Sequence, residues 1–263
     1  MMTNLFGWSA YQFQSLLLII MRVAPILFMT PPLNSRTIPR MAKIGLTLVV
    51  SLVLWPVVKT EAPFFPSEPF SFGFFMISEF MIGFFLGLSI QFIFAGIQLA
   101  GEYAGLQMGL AMASIIDPES GTNSSLIAQF YYLLGLLIFL SVDGHHWIFR
   151  ALVKSFHLLA PGEFYLREGL YRHLLNLSGN MFLIAVKIAA PVMAVLILIQ
   201  IVLGIVARMV PQVNVLISSF PLTIGVGFIF LGLSMEFLLP YLKTLFDESG
   251  KGLVMTLLPL MKR

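Results

Sequence analysis

Four charged residues sit inside otherwise apolar runs: Arg22, Glu79, Lys187 and Glu236. Placing a charge at mid-membrane depth costs several kcal/mol, about 3 on insertion scales. Two chemistries fit such residues. One is a proton or ion relay. The other is pairing at helix–helix or subunit interfaces, which hides charge equally well. No chain of such residues follows one helix face, which favours pairing. Glu79 or Glu236 with Lys187 or Arg22 all stay open as partners.

Other chemistry finds little support. His145 and His146 are adjacent, so on a helix they point about 100° apart and do not chelate one metal from one face. No HExxH occurs. Asp143 reads instead as the cap of a helix that begins near Gly144. No GxSxG is present, and His145, His146, His157 and His173 lie away from any conspicuous serine. Asp117, Asp143 and Asp247 fall in loops or at helix ends, so the two membrane aspartates of an intramembrane aspartyl protease are missing. Asp117 and Glu119 are placed as loop punctuation at Asp117-Pro118. There is no cysteine, which removes disulfides, thiol catalysis and thiolate metal sites together. The expectation is a non-enzyme with no metal and no cofactor.

The most informative stretch is 101–123, GEYAGLQMGLAMASIIDPESGTN. Gly101, Gly105, Gly109 and Ala113 are four apart and line one smooth helix face. That spacing fits small-residue packing, as does Gly83 with Gly87. Glycine at every turn also weakens a helix, by about 1 kcal/mol each relative to alanine. The other faces carry Leu106, Met108, Leu110, Met112, Ile115 and Ile116, and a polar turn from Asp117 to Asn123 follows. Unbranched methionine seals irregular gaps without fixed geometry. A packing segment and a movable plug in a pore both fit this composition.

The elements that must position these residues are helices. Apolar runs predict helices near 10–29, 40–58, 71–104, 125–141, 146–158, 173–208 and 211–242. Hydrophobic residues are 59% of the 263-residue chain and charged residues 10%, and mean hydropathy is +0.95. A soluble domain carries about a quarter of its residues as charge, so the surroundings here are lipid or partner protein. The net charge of +3 is scattered, without a basic run interleaved with aromatics, which excludes nucleic acid as a partner. The N-terminal run lacks a basic n-region and reads as a retained helix. The segment 146–158 is amphipathic, with Arg150 and Lys154 four apart, and reads as an interface helix and not a span.

Two features resist a simple bundle of spans. The segment 173–208 would be roughly 54 Å long against a hydrocarbon core of about 30 Å, and kinks at Pro191 or Pro221 absorb only part of the excess. Arg36, Arg40 and Lys43 draw the first connection to the cytoplasm, yet threading onward then puts Arg150, Lys154, Arg167 and Arg172 outside. Several helices are therefore expected to pack against partner subunits at unusual depth. A boundary near 172 separates residues 1–172 from a C-terminal hairpin and tail, 173–263, whose turn lies at Arg208-Met209-Val210-Pro211.

Four ordered stretches carry a resemblance: Arg22-x-x-Pro25 with Pro31-Pro32-Leu33-Asn34, Pro39 and Lys43; Glu79-x-x-x-Gly83-x-x-x-Gly87; Gly101-x-x-x-Gly105-x-Gln107-Met108-Gly109 to Asp117-Pro118; and Gly204-x-x-Ala207-Arg208-x-x-Pro211-Gln212-x-Asn214-Val215 followed by Phe220-Pro221. Together they cover nearly the whole chain. The sequence resembles the R-type subunits of the flagellar type III export gate, whose injectisome relatives are T-type export-apparatus subunits. The resemblance implies an all-α membrane protein of long kinked helices, in which a P-type-like N-terminal part joins a Q-type-like helical hairpin. It implies assembly with P-type and Q-type subunits into a closed, cone-like channel core, largely raised above the bacterial inner membrane in the flagellar basal body. The B-type switch protein, the A-type gate protein, membrane lipid and unfolded export substrates in transit are the other implied partners. The implied plug spans about 105–123, with Gly105, Gln107, Met108, Gly109, Met112, Ile115, Ile116, Asp117 and Pro118 in it. Arg208, Pro211, Asn214 and Pro221 are the expected subunit-interface residues. An equivalent subunit of a virulence-type injectisome, or a small proton-coupled membrane transporter, are the alternatives.

Overall fold

Long apolar runs with few strand-type alternations leave the backbone one way to satisfy its polar groups locally, and the chain takes it. A computed structural model describes residues 10–34, 38–58, 69–110, 125–209 and 215–262, and among these no strand is present. The helices are α1 (Ala10–Met29), α2 (Pro31–Asn34), α3 (Arg40–Leu54), α4 (Pro69–Gln107), α5 (Leu126–Ser141), α6 (Gly144–Leu158), α7 (Glu168–Met209) and α8 (Val215–Gly252); a π-helical turn, Leu253–Leu257, and α9 (Leu258–Leu260) follow. The protein is an all-α membrane protein. Among the described residues, four segments are long and apolar enough to cross a membrane: Tyr11–Met29, Phe70–Gln107, Glu168–Met209 and Ser219–Leu260. Leu126–Ser141 and Gly144–Leu158 make a fifth only if the pair counts as one broken span.

Each expected helix is present; α4, α6 and α7 run longer than read, α3 stops at Leu54 and not 58, and the short α2 was not expected. At about 1.5 Å per residue, the 42 residues of α7 span about 63 Å. Pro25, Pro191, Pro221 and Pro240 all lie inside helices. The last helix was expected to end near 242, two residues past Pro240. It continues to Gly252 because the following ten residues are amphipathic: Leu242 and Phe246 are buried, and Lys251 pairs with Asp247 one turn back at 2.6 Å.

The chain forms two compact units. One comprises Met1–Gln91, Asp143–Leu177 and Phe246–Arg263; the other comprises Phe92–Val142 and Ser178–Leu245. These units follow contacts and not chain order: α4, α7 and α8 each contribute to both, and α7 runs unbroken through residue 172.

The first unit is built on a close crossing of α1 and α4. A Cβ on Gly83 would strike the Arg22 carbonyl and the Pro25 ring, and one on Gly87 would lie 2.9 Å from Met29 Cβ. Only glycine permits this approach, so the Gly83-xxx-Gly87 spacing is a packing face. The approach brings Arg22 onto Glu79. Both side chains are fully buried. Arg22 donates through Nε to Glu79 Oε2 at 2.5 Å and through Nη2 to Oε1 at 2.8 Å. Two further donors reach Ser155 Oγ and the Leu159 carbonyl, each at 3.2 Å. The Gly162 amide donates to Glu79 Oε1 at 3.3 Å, and the Phe156 ring centroid lies 4.2 Å from the guanidinium carbon. One planar fork therefore ties α1, α4, α6 and the connection after α6.

α3 packs on α1 with its polarity inverted. Thr47 and Ser51 are buried, while Met41, Val49 and Val53 are exposed. The buried hydroxyls donate to the carbonyls four residues back, Lys43 and Thr47, and Trp55 Nε1 donates to Ser15 Oγ at 3.1 Å. Apolar out and polar in is the pattern of a helix that meets lipid or another subunit.

Breaking the Arg22–Glu79 pair from one side strands a buried charge, so Arg22→Leu or Glu79→Leu alone is expected to cost about 3–5 kcal/mol. The double change Arg22→Leu/Glu79→Leu should recover most of that. Thermal unfolding of the three detergent-solubilised variants checks it. Single variants as stable as the parent would mean the pair contributes nothing to the fold.

Candidate functional site

In the second unit the C-terminal end of α4 is shaped by glycine. A Cβ on Gly101 would meet the backbone of Ala128 at the start of α5, and one on Gly105 would meet Ser125 Oγ. On α5, Gly135 faces Ile97 of α4, with 3.1 Å between a Cβ there and Ile97 Cδ1. Gly101 and Gly105 therefore belong to a packing face, and the helix holds through Gln107 in spite of them.

α4 then stops on a Schellman turn. The Gly109 amide donates to the Leu106 carbonyl and the Leu110 amide to the Gly105 carbonyl, both at 3.0 Å. Gly109 takes φ +85°, the left-handed cap position that favours glycine. A side chain there would also meet the Phe220 ring at 2.8 Å.

The same turn is moored to the hairpin of α7 and α8. Met108 is fully buried, and its thioether lies over Gly227, where a Cβ would come within 2.6 Å of Met108 Cγ. The single proton of the Thr223 hydroxyl is shared among the Met108 carbonyl at 3.2 Å and the Ser219 and Phe220 carbonyls of its own helix at 3.2 and 3.1 Å. Gln107 Nε2 donates to Gln200 Oε1 at 3.1 Å, and Gln200 Nε2 reaches back to the Gln107 carbonyl at 3.4 Å. Beside these contacts a cavity of about 460 Å³ opens, with Leu106, Gln107, Gln200, Gly204, Phe220 and Thr223 among its lining residues.

Gly105, Gln107, Met108 and Gly109 are thus a docked stem. Met112, Ile115, Ile116, Asp117 and Pro118 lie outside the described residues, as do Pro211 and Asn214. Arg208 is exposed in the last turn of α7, and Pro221 is exposed near the start of α8. Lys187 and Glu236 are exposed on α7 and α8. Lys187 Nζ lies 6.0 Å from the Tyr241 ring centroid, and among the described residues neither charge has an oppositely charged partner within 4 Å. Gln200, Thr223 and Gly227 were not singled out in the sequence. Gln200 carries the clearest signal, as the one polar side chain in the run 192–203, VMAVLILIQIVL.

The histidine pair departs from expectation. Asp143 stands at the start of α6 but makes no side-chain cap. It adopts a left-handed backbone (φ 56°), and its Oδ1 lies 3.3 Å from His146 Nδ1 and 3.9 Å from His145 Nε2. The two ring centroids lie 4.2 Å apart with their planes tilted by 38°, and one donor atom from each of the three residues falls within 4.8 Å of the others. A cation could be held there, although these side chains are partly or largely exposed.

The glycine contacts separate two kinds of position. Gly101→Val should push α4 and α5 apart and sharply lower the yield of folded protein. Gly204→Ala meets nothing within 4 Å and should leave the yield unchanged. Size-exclusion profiles of the solubilised variants check this; equal yields would remove the packing role of Gly101.

Residues 13–249 match the family described as bacterial export proteins, family 1. The chain is 32% identical over 230 residues to the flagellar biosynthetic protein FliR of Escherichia coli K12, covering 87% of each chain. It is 34% identical over 227 residues to that of Pectobacterium carotovorum, covering 86% of each. With the FliR of Bacillus subtilis 168 it shares 32% over 240 residues, 89% of this chain and 91% of that one. With long apolar helices and a match along nearly all its length, the chain belongs to the bacterial export proteins, family 1, the family of the flagellar biosynthetic protein FliR.

Proposed function

We propose that this chain is a non-enzymatic core subunit of the flagellar type III export gate, and that it forms and seals the export channel together with P-type and Q-type subunits. The observation that carries the reading is the mooring of the α4 end. Segment 111–124 leaves from a turn fastened by Gly109, Met108 and Gln107 and returns at Ser125, where α5 begins. A segment tethered at both ends to packed helices can shift locally while its frame stays put. In this reading 111–124 is the plug, and Met112, Ile115 and Ile116 are its seal.

The physical demand is two-sided. Unfolded proteins must pass while protons and small ions do not. Met and Ile side chains exclude water when closed and part around a chain of any sequence. Asp117-Pro118 ends the apolar stretch with a turn. Residues 1–172 act as the P-type-like part and 173–263 as the Q-type-like hairpin with its tail. Arg208, Pro211, Asn214 and Pro221 meet a neighbouring subunit. The B-type switch protein and the A-type gate protein dock from the same machine, in the inner membrane at the flagellar basal body. The FliR proteins of Escherichia coli and Bacillus subtilis support the flagellar assignment.

A proton-coupled transporter reading loses its footing at the charges. Arg22 and Glu79 are closed on each other, with Arg22 also on Ser155, and Lys187 and Glu236 are exposed, with no ion pair to them among the described residues.

Deleting 111–116 while keeping the Gly109 turn should produce ion leak across the inner membrane, and only in cells that also carry the P-type and Q-type subunits. Thr223→Val with Gln200→Leu should loosen the stem and give a smaller leak. Membrane-potential dye measurements read both. An assembled complex that stays tight after the deletion would end the plug assignment.

A further inference from the structure

The outer face of α6 carries a stripe of basic side chains that the gate reading does not use. His146, Arg150, Lys154 and His157 recur at intervals of four, four and three residues, which places them along one side of the helix. All four are exposed. The opposite side buries Ile148, Ala151, Leu152 and Ser155. Phe149 and Val153 lie between the basic residues and complete an open groove of about 580 Å³. The Arg150 guanidinium lies 5.5 Å from the Trp147 ring centroid. His146 has Asp143 at 3.3 Å. Among the described residues neither Arg150 nor Lys154 has a carboxylate within 4 Å.

We propose that this face of α6 is a binding site for anionic phospholipid headgroups. Many large apolar side chains are exposed among the described residues, and where such a surface meets lipid, a helix bearing cations on its outer side fits the level where the medium becomes polar. Arg and Lys lay their methylene stems on apolar surface and hold their charges at phosphate depth. Phe149 and Val153, set between the cations, match the acyl boundary just beneath a headgroup layer. Trp147 is the residue type enriched at that level, and the same unit exposes Tyr165 and Tyr171 close by in sequence. An acidic protein partner would satisfy the charges but would leave Phe149 and Val153 facing carboxylates. The proposal needs only the membrane location and stands apart from the plug.

The test is a lipid titration of the full chain, alone and in the complex formed on co-expression with P-type and Q-type subunits. Native mass spectrometry counts bound phosphatidylglycerol against phosphatidylcholine. Phosphatidylglycerol should be preferred in both samples. Arg150→Gln/Lys154→Gln should weaken it about 30-fold, at about 1 kcal/mol per basic residue near an anionic surface. Arg150→Lys/Lys154→Arg should restore it, with the unfolding temperature unchanged throughout because both side chains are exposed. Four results would each overturn the proposal: no preference between the lipids, no effect of the double variant, displacement by soluble glycerol phosphate (a free-phosphate site), or loss of the preference in the complex while a poly-glutamate peptide still binds (a protein-docking face).

Discussion

Backbone and side-chain polar groups in this chain cannot rely on water, and most of its architecture follows from that. An unsatisfied polar group in hydrocarbon costs several kcal/mol, so most of the described chain is helical and several of its buried hydroxyls turn back onto their own helices. Thr47, Ser51 and Ser89 each donate to a carbonyl four residues earlier. Arg22 is the extreme case. A guanidinium has five donors in a fixed plane, and here Glu79 takes two, with Ser155 and the Leu159 carbonyl taking others. That much satisfaction requires α1, α4 and α6 to arrive together, which links the placement of a short amphipathic helix to a charge far away in the chain.

Close approach is the second requirement, and glycine supplies it unevenly. Gly83, Gly87, Gly101 and Gly105 stand where a Cβ would collide with a neighbouring helix, whereas Gly204, Gly225 and Gly232 face open space. Gly45 on α3 and Gly73 on α4 face open space as well; the three on α7 and α8 lie beside exposed Leu198, Ile201, Val202, Ile229 and Leu233. Lipid gains nothing from such smooth faces, since helix association within a bilayer runs on close packing. A hairpin with unfilled glycine positions fits a subunit that meets other helices.

Much of this was legible in the sequence, for reasons that differ by element. Helices were readable because their apolar runs are long and interrupted only by Pro-rich or polar turns; the ends erred where amphipathic turns extended them, at 168–172 and 243–252. The amphipathic character of 146–158 followed from its spacing. The Arg22–Glu79 pairing did not, because apolar helices give no register against one another, and four buried-charge candidates allow several pairings. The closeness of the two histidine rings was not legible, because the angle between adjacent side-chain directions on a helix does not fix where flexible rings come to rest; their centroids lie 4.2 Å apart. Segment 101–110 was ambiguous because glycine spacing reports a smooth face without saying what lies against it. Ala128 and Ser125 resolve that for Gly101 and Gly105, and Phe220 for Gly109.

If the proposed plug is right, the mooring at Gly109 constrains how it would work. If the whole segment from Gly101 onward moved, opening would have to undo the Gly101–Ala128 packing, the Thr223 bond and the buried seat of Met108 together. Burying one methionine alone is worth about 1.5–3 kcal/mol, so such a motion would be costly at every opening. Motion confined to residues beyond Leu110 leaves all of those contacts in place. The Schellman turn marks the boundary between the two, because its left-handed glycine ends the helix and redirects the chain without strain. Under the proposed plug reading, such a division asks less of each opening than a helix that unwinds, and the position of Gly109 is what would set it.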